Sequence, residues 1–374
     1  MQYKPFQQIL LSRLGMGNMR LPAGTGLDGH GQIDWTKSQE MIDTCMKNGI
    51  NYYDTAYVYN GGESERCLGA CLKHHPRDSF YVATKFHIGS NPDYKAVFQE
   101  QLERLQMDHI DFYLLHCLMD GNADTYLKSG AIEYFLDLQK QGKITYLGFS
   151  SHASPETLKR FASHHQWDFA QIQLNYYDWI YGTAKEEYEV LCGMNIPVMV
   201  MEPVRGGRLA QLTPEAEKDL KAARPDASIA SWALNFVKTL PGVQVILSGM
   251  SSMEQLTDNI ASFSDPASLT DGEKQLLLDV CERFHKQIVV PCTACRYCCD
   301  GCPMQINIPE FLKFFNAYKV EGMWGLNGVE KVESAGKPAD CLSCGACMSH
   351  CPQGIQIPDL LAELNEAMEK RAHR

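Results

Sequence analysis

The chain has 374 residues and fifteen cysteines, nine of which fall after position 290. Eight of these nine repeat one pattern. Cys292, Cys295, Cys298 and Cys302 precede Pro303, and Cys341, Cys344, Cys347 and Cys351 precede Pro352. Both runs read C-x2-C-x2-C-x3-C-P, the spacing with which thiolates hold a [4Fe–4S] cluster. Three thiolates on one tight loop wrap a cubane, and the fourth stands apart before a proline. Zinc is the competing reading, but its sites usually take two separated pairs. The pattern therefore predicts two [4Fe–4S] clusters. Cys299 is an extra thiol with no assigned role. Cys45, Cys67, Cys71, Cys117, Cys192 and Cys281 lie singly among apolar neighbours and read as small core residues.

In two-cluster ferredoxins the fourth cysteine of such a run ligates the other cluster. By that analogy Cys292, Cys295, Cys298 and Cys351 hold one cluster, and Cys341, Cys344, Cys347 and Cys302 hold the other. An I-x-I-P segment follows each run, at Ile306–Pro309 and at Ile355–Pro358. After the first come Phe311, Leu312, Phe314, Phe315 and Tyr318 at helical spacing. After the second, IPDLLAELNEAMEK reads as an amphipathic helix. This near-repeat of about fifty residues predicts a small pseudo-symmetric helical ferredoxin-like domain with two [4Fe–4S] clusters over residues 286–374.

A second set of polar groups lies upstream. Asp54, Lys85 and His116 each close an apolar run, and Tyr59 follows five residues after Asp54. Singly, each reads as a cap or a satisfied core group. Together they suit proton transfer to a carbonyl. A tyrosine hydroxyl, with a pKa near 10, is a poor acid at neutral pH. A nearby ammonium stabilises the phenolate, which Lys85 can do while Asp54 keeps it charged. His116 can position the carbonyl oxygen, and Tyr59 can protonate it as a hydride reaches carbon.

Positioning these groups needs strands. Short β-rich runs lie at residues 50–54, 80–84, 110–115, 145–149, 169–173, 198–201 and 243–247, with an earlier one near 10–15. Amphipathic segments alternate with them. Asp34 or Thr36, Asn91 and Ser154 read as helix caps, with Pro92 and Pro155 in first turns. Eight βα units in residues 1–285 predict a (β/α)8 TIM barrel, with a doubly wound sheet as the alternative. In a barrel, catalytic groups sit at the C-terminal strand ends, where Asp54, Lys85 and His116 fall. No G-x-G-x-x-G opens a helix, which disfavours a Rossmann fold. The helical segment 271–287 is expected to bridge barrel and ferredoxin-like domain and to dock the second on the first.

Composition limits the function classes. Hydrophobic residues make up 45% and charged residues 21%, and net charge is −11. These values exclude a disordered chain and disfavour nucleic-acid binding. No run approaches the roughly 20 apolar residues of a membrane helix. MQYKPFQQILLSRLG lacks the apolar core of a secretory signal. Thiolates in a reducing, cytoplasmic setting are therefore expected.

These residues carry a resemblance. Over roughly residues 8–285 the sequence resembles the aldo-keto reductases, through NYYDTAYVYNGGESERCLG, VATKF, YLLH, GFSSH, QIQLN and SGMSSMEQLTDNI. The family's Asp–Tyr–Lys–His tetrad lands on Asp54, Tyr59, Lys85 and His116. The resemblance implies a (β/α)8 barrel that uses NADP or NAD without a Rossmann domain. It places Ser150, Ser151 and Gln171 at the nicotinamide amide, with Ser151 where the family has asparagine. Met201 stands where a tyrosine usually stacks. The segment at Glu202–Leu209 resembles the loop over the pyrophosphate, implicating Arg205, Gly206, Gly207, Arg208 and Leu209. Ser248, Gly249, Gln255 and Asn259 align around the adenosine phosphate, where the basic pair that often grips a 2′-phosphate is absent. The whole chain looks like a bacterial subgroup with a ferredoxin-like extension.

Hydride transfer moves two electrons and a [4Fe–4S] cluster normally passes one, which leaves three functions open. The first is an NAD(P)H-dependent reductase of a small carbonyl, or oxidant of an alcohol, with structural or electron-transferring clusters. The second is an electron-transfer protein serving a ferredoxin-like partner, with a flavin in the barrel. The third is a redox-sensing nucleotide-binding regulator. Asp28, His30 and Asp120, in loops at the expected pocket, read as solvated residues.

Overall fold

The structure is a computed structural model, and it describes residues 1–23, 32–285 and 288–372. Asp28 and His30 lie outside the described residues, as do Lys286 and Gln287 at the end of the bridging segment.

Two short strands, β1 (Tyr3–Phe6) and β2 (Ile9–Ser12), pair antiparallel. Eight more follow: β3 (Leu14–Gly17), β4 (Tyr52–Asp54), β5 (Tyr81–Phe86), β6 (Ile110–Leu118), β7 (Ile144–Ser151), β8 (Phe169–Gln173), β9 (Val198–Met201) and β10 (Val243–Ser248). They close a parallel barrel in the order β10-β3-β4-β5-β6-β7-β8-β9. This is the expected (β/α)8 architecture; the doubly wound sheet is set aside. Strands buried on both faces read as unbroken apolar runs rather than alternating ones, as in IDFYLLHCL of β6.

The strand expected near residues 10–15 is two strands, split at Arg13. Gln7, at φ 48°, turns the preceding hairpin, and the Arg13 amide donates to the Gln2 carbonyl at 2.8 Å. That hairpin plugs the bottom of the barrel. The Phe6 ring lies 5.5 Å from Phe112 and 5.0 Å from Tyr146, within an inner core that includes Tyr52, Leu114 and Phe169. The floor is therefore closed, and chemistry is confined to the opposite rim.

Two of the expected caps are in place. Asp34 accepts from the Lys37 amide at 3.0 Å ahead of the helix Trp35–Lys47. Ser154 accepts from Thr157 ahead of Pro155–Ala162. Asn91 is not a cap. Its side chain accepts from the Asp93 amide, and Asp93 caps the helix Tyr94–Leu105. Pro92 therefore precedes the cap.

After the barrel, the helix Asp271–His285 buries Leu277, Val280, Cys281 and Phe284 in the barrel's core. His285 anchors its end by stacking on Tyr181, with ring centroids 3.7 Å apart. The remaining chain builds its own core between the helices Ile308–Glu321 and Ile357–Ala372. This second body is docked on the open rim of the barrel. Arg20 donates to the Ala294 carbonyl and Arg205 to the Pro291 carbonyl, each at 3.1 Å. Gln353 donates to Gln173 Oε1 at 3.3 Å.

The second body also packs on Gly206, whose φ is 65°. A Cβ there would lie 1.7 Å from the Thr293 carbonyl oxygen, whereas one on neighbouring Gly207, φ 91°, meets open space. Gly206→Ala is therefore expected to cost about 2 kcal/mol, from left-handed strain plus overpacking. Gly207→Ala should cost about 1 kcal/mol, from strain alone. Anaerobic thermal denaturation of the two variants checks this, and equal losses would contradict the packing argument.

Candidate active site and cluster sites

Three adjacent strands deliver three of the four polar groups. Asp54 ends β4, Lys85 lies near the end of β5 and His116 near the end of β6. Tyr59 comes from the 3-10 turn Tyr59–Gly62, where Asn60, Gly61 and Gly62 all have positive φ. That reversal turns the phenol back over the strand ends. Lys85 Nζ donates to Asp54 Oδ1 at 2.6 Å and to the Thr55 carbonyl at 2.5 Å. The same ammonium lies 5.1 Å from the Tyr59 ring centroid. Tyr59 and His116 meet edge to face at 5.7 Å. All four side chains are buried, so the structure brings the tetrad together at one point.

Burial decides the electrostatics. It pushes Asp54 up and Lys85 down, and each is the other's main opposing influence. Burial, then the Lys85 charge, hold His116 well below the ordinary imidazole range, so the ring is neutral. Burial, then Asp54, push the Tyr59 phenol well up. The expected lowering of this phenol by Lys85 is outweighed by burial and by the nearby Asp54, while Lys85 directs two of its donors to Asp54 and Thr55.

A buried network that sequence reasoning missed supports the site. Glu65 accepts from Thr84 at 2.5 Å, from Gln101 at 2.8 Å and from Arg104 at 3.0 Å. Arg104 also donates to the Tyr57 carbonyl at 3.0 Å. These bonds tie β5 to the turn that carries Tyr59. The available signal was Glu65, an acid on the buried face of the helix Glu63–Leu72.

A cavity of about 250 Å³ opens above the tetrad. Asp54, Tyr59, Gln171, Met201, Gly206, Gly207, Ser248, Gly249, Gln255 and Asn259 line it. Ser150 and Ser151 do not line it: they accept from the Cys117 and Ala153 amides, and Ser151 lines a neighbouring cavity with Gln173 and Gln353. Leu209 is in the core. Arg205 does not line the cavity; its guanidinium pairs with Asp178 at 2.9 Å, lies over the Tyr177 ring, and donates to the Pro291 carbonyl and Gln353 of the second body. Arg208 does not line it either. Asp120 is a loop residue that accepts from the Ser154 amide and hydroxyl. Sequence reasoning missed Arg20 and Glu202, which pair at 3.6 Å, and His152. Nor did it foresee that Thr293, Cys295, Tyr297 and Pro352 of the second body would line this cavity.

Polar atoms on the cavity wall suit a nicotinamide. Gln171 Oε1 is buried and without a hydrogen-bond partner, as an acceptor for a carboxamide N–H would be. Gly206 and Gly207 offer left-handed backbone at the lip, and Asn259 donates to Ser248 Oγ at 2.9 Å.

The cysteines ring two separate voids. Cys292, Cys295, Cys298 and Cys351 line one, and Cys302, Cys341, Cys344 and Cys347 line the other. This matches the crossed grouping that the ferredoxin analogy implies: each fourth cysteine lines the void of the other run. Four thiols around an apolar void suit an iron–sulfur cubane. Cys299 lines neither void.

Comparison with known proteins is consistent with this geometry. The profile of the Aldo/keto reductase family matches residues 13–273, and that of the 4Fe-4S dicluster domain matches residues 291–355. The chain is 27% identical over 302 residues to the uncharacterized oxidoreductase YqkF of Bacillus subtilis, covering 71% of this chain and 92% of that one. It is 26% identical over 328 residues to the NADH-specific methylglyoxal reductase of Escherichia coli, covering 74% and 97%. The holo aldo-keto reductase AKR11C1 from Bacillus halodurans superposes with a TM-score of 0.61 at 28% identity, covering 75% of this chain and 96% of that one. Among the described residues no helix is long and apolar enough to cross a membrane.

Proposed function

Because the chain belongs to the aldo/keto reductase family and is an oxidoreductase, we propose that it interconverts a small carbonyl compound and its alcohol with NADP or NAD. The observation that carries this reading is the cluster of Asp54, Tyr59, Lys85 and His116 at one rim, with Asp54 and Tyr59 lining the cavity and Lys85 and His116 packed against them. Tyr59 protonates the carbonyl oxygen and neutral His116 orients it. Lys85 keeps positive charge near the phenolate that forms, and Asp54 holds that charge in place. A bound nicotinamide supplies the hydride. Gln171 orients its carboxamide, and Ser248, Gly249, Gln255 and Asn259 line the path of the rest of the nucleotide. Ser150 and Ser151 hold the nearby Cys117 and Ala153 amides. The test is turnover of a carbonyl and alcohol panel with both nicotinamides. Absence of turnover across the panel, with nucleotide bound, would favour the regulatory reading instead.

Residues 1–285 form the reductase body in this proposal and residues 286–374 the cluster body, with two [4Fe–4S] clusters on the crossed cysteine sets. Cys298→Ala is expected to lower iron below the roughly eight atoms of two cubanes while the barrel still binds nucleotide. Iron analysis and nucleotide titration of the anaerobically purified variant check this. Unchanged iron would refute the ligand assignment.

A second reading has its own support. Cys295 lines both the cluster void and the barrel cavity, so the first cluster would abut whatever redox group the cavity holds. In that reading a partner protein exchanges electrons with the clusters. Rapid anaerobic bleaching of cluster absorption by NAD(P)H would favour it. Rapid carbonyl turnover with unchanged clusters would favour the first reading.

A further inference from the structure

Resting on the two-cluster reading above, we propose that Arg296 raises the reduction potential of the first cluster, on Cys292, Cys295, Cys298 and Cys351, above that of the second. An electron that reaches the second body then comes to rest beside the barrel cavity.

The two voids are copies of one cage. The offset that takes Cys292 to Cys341 also takes Pro309 to Pro358 and Leu312 to Leu361, and the isoleucines of the two I-x-I-P segments line the voids alike. Among the described residues, the type changes at three lining positions. Thr293 corresponds to Leu342, Arg296 to Gly345 and Gln353 to Met304. Each change places a side-chain N–H or O–H donor in the first cage where the second has none. Arg296 also brings a charge, and none of the described residues lining the second void is charged.

Both loops run left-handed at this position, with φ 69° at Arg296 and 77° at Gly345. The turn therefore belongs to the shared motif, and glycine takes it without strain. Arginine takes it at a cost, and what the first loop gains is the side chain. Its Nη1 donates to the neutral Asn307 Oδ1 at 3.1 Å. Its Nε is buried without an acceptor, on a residue at the wall of the void. An unmet N–H there suits a sulfur of the cluster. Arg205 donates to Gln353 Oε1 at 3.3 Å, but Asp178 balances its charge at 2.9 Å. Arg296 is thus the cation that counts.

Reduction adds one electron, and so one negative charge, to a cluster already held by thiolates. A cation and N–H donors favour the reduced form and raise the potential. Water does the same, and Cys344 of the second set is exposed. The charge outweighs that exposure. At contact range one charge shifts a one-electron equilibrium by well over tenfold, even at an effective dielectric of about 20. In the second set Cys347 is buried, and Cys302 and Cys341 are only partly exposed. Given an electron from a one-electron carrier, the second cluster passes it on and is reoxidised as the first is reduced. No bond breaks and no proton moves. Cys295 lines both the first void and the barrel cavity, so the electron stops at the cavity wall.

The test is an anaerobic potentiometric titration of the full-length protein, with each cluster followed by its electron paramagnetic resonance signal. Wild type should show two one-electron couples at least about tenfold apart in the reduction equilibrium, which is 59 mV for one electron. Arg296→Gly copies the second loop and relieves the left-handed strain. In that variant the higher couple should fall by at least the same factor, while the lower couple and the iron content stay at wild-type values. Coincident couples in wild type would overturn the inference. So would an unmoved higher couple in Arg296→Gly, or an equal shift of both couples. Should Arg296→Gly lose iron, Arg296→Gln, equally neutral but with the stem kept, is judged by the same shifts. Loss of iron in both variants would make Arg296 a structural residue and overturn the inference as well. Wild-type protein holding iron for fewer than two cubanes would sink the two-cluster reading instead.

Discussion

Replacing Tyr59 with phenylalanine is expected to slow carbonyl reduction by about 10²-fold or more, the usual scale for removing a general acid. The ring stays, so its edge-to-face contact with His116 and its place beside Lys85 survive. Only the hydroxyl is lost. His116 is held neutral by burial and by the Lys85 charge, and two of the three Lys85 N–H groups are committed to Asp54 and Thr55. The loss should therefore appear in kcat with little change in nucleotide affinity, because Tyr59 touches the reacting oxygen rather than the dinucleotide's length. Steady-state kinetics with a saturating nicotinamide decide the matter. Near-normal turnover would remove Tyr59 from the chemistry. The same electrostatics predict that wild-type activity does not drop as pH falls through 6.5, the ordinary imidazole value. His116 has no proton to gain there.

Much of this site was legible before the fold, for a specific reason. Asp54, Lys85 and His116 announce themselves as polar groups closing apolar runs, and barrel topology puts such ends on one rim. The cysteine spacing carried even more, because C-x2-C-x2-C-x3-C-P encodes a loop and a crossed partner in a dozen residues. What stayed hidden depends on contacts between distant segments. Arg205 lies in a loop resembling a pyrophosphate clamp, yet it pairs with Asp178 and with the Pro291 carbonyl, 27 and 86 positions away. Tyr297 is an ordinary aromatic within a cysteine motif until docking brings it into the cavity wall. The N-terminal hairpin depends on Gln7 adopting a left-handed turn, which glutamine does not advertise. Local patterns thus foretold the elements and the strand-end chemistry, whereas the second body's role as a wall of the cavity emerged only from the packing of the two bodies.

The second large effect concerns stability. Asp54→Ala is expected to cost about 3–5 kcal/mol at neutral pH, because it strands the Lys85 ammonium in a site with no exposed surface. The Thr55 carbonyl remains as an acceptor at 2.5 Å, but a neutral dipole does not replace a carboxylate 2.6 Å away. Burial already pulls Lys85 below its ordinary 10.5, opposed chiefly by Asp54. Without Asp54 the folded-state pKa falls further. The sign of the pH dependence follows. Between that depressed value and 10.5 the unfolded chain binds more protons than the folded one, so stability rises with pH. The deficit of Asp54→Ala is full below the folded pKa of Lys85 and shrinks as pH climbs toward 10.5. Adding Lys85→Met should recover part of the loss, since the stranded charge is then gone, with a coupling of about 1–3 kcal/mol. Anaerobic denaturant titrations of wild type, both single variants and the double variant, at pH 7 and again at pH 9.5, measure both quantities. Additive losses, or a deficit that grows with pH, would mean that Asp54 does not hold the Lys85 charge, and the electrostatic account of how Tyr59 works would lose its base.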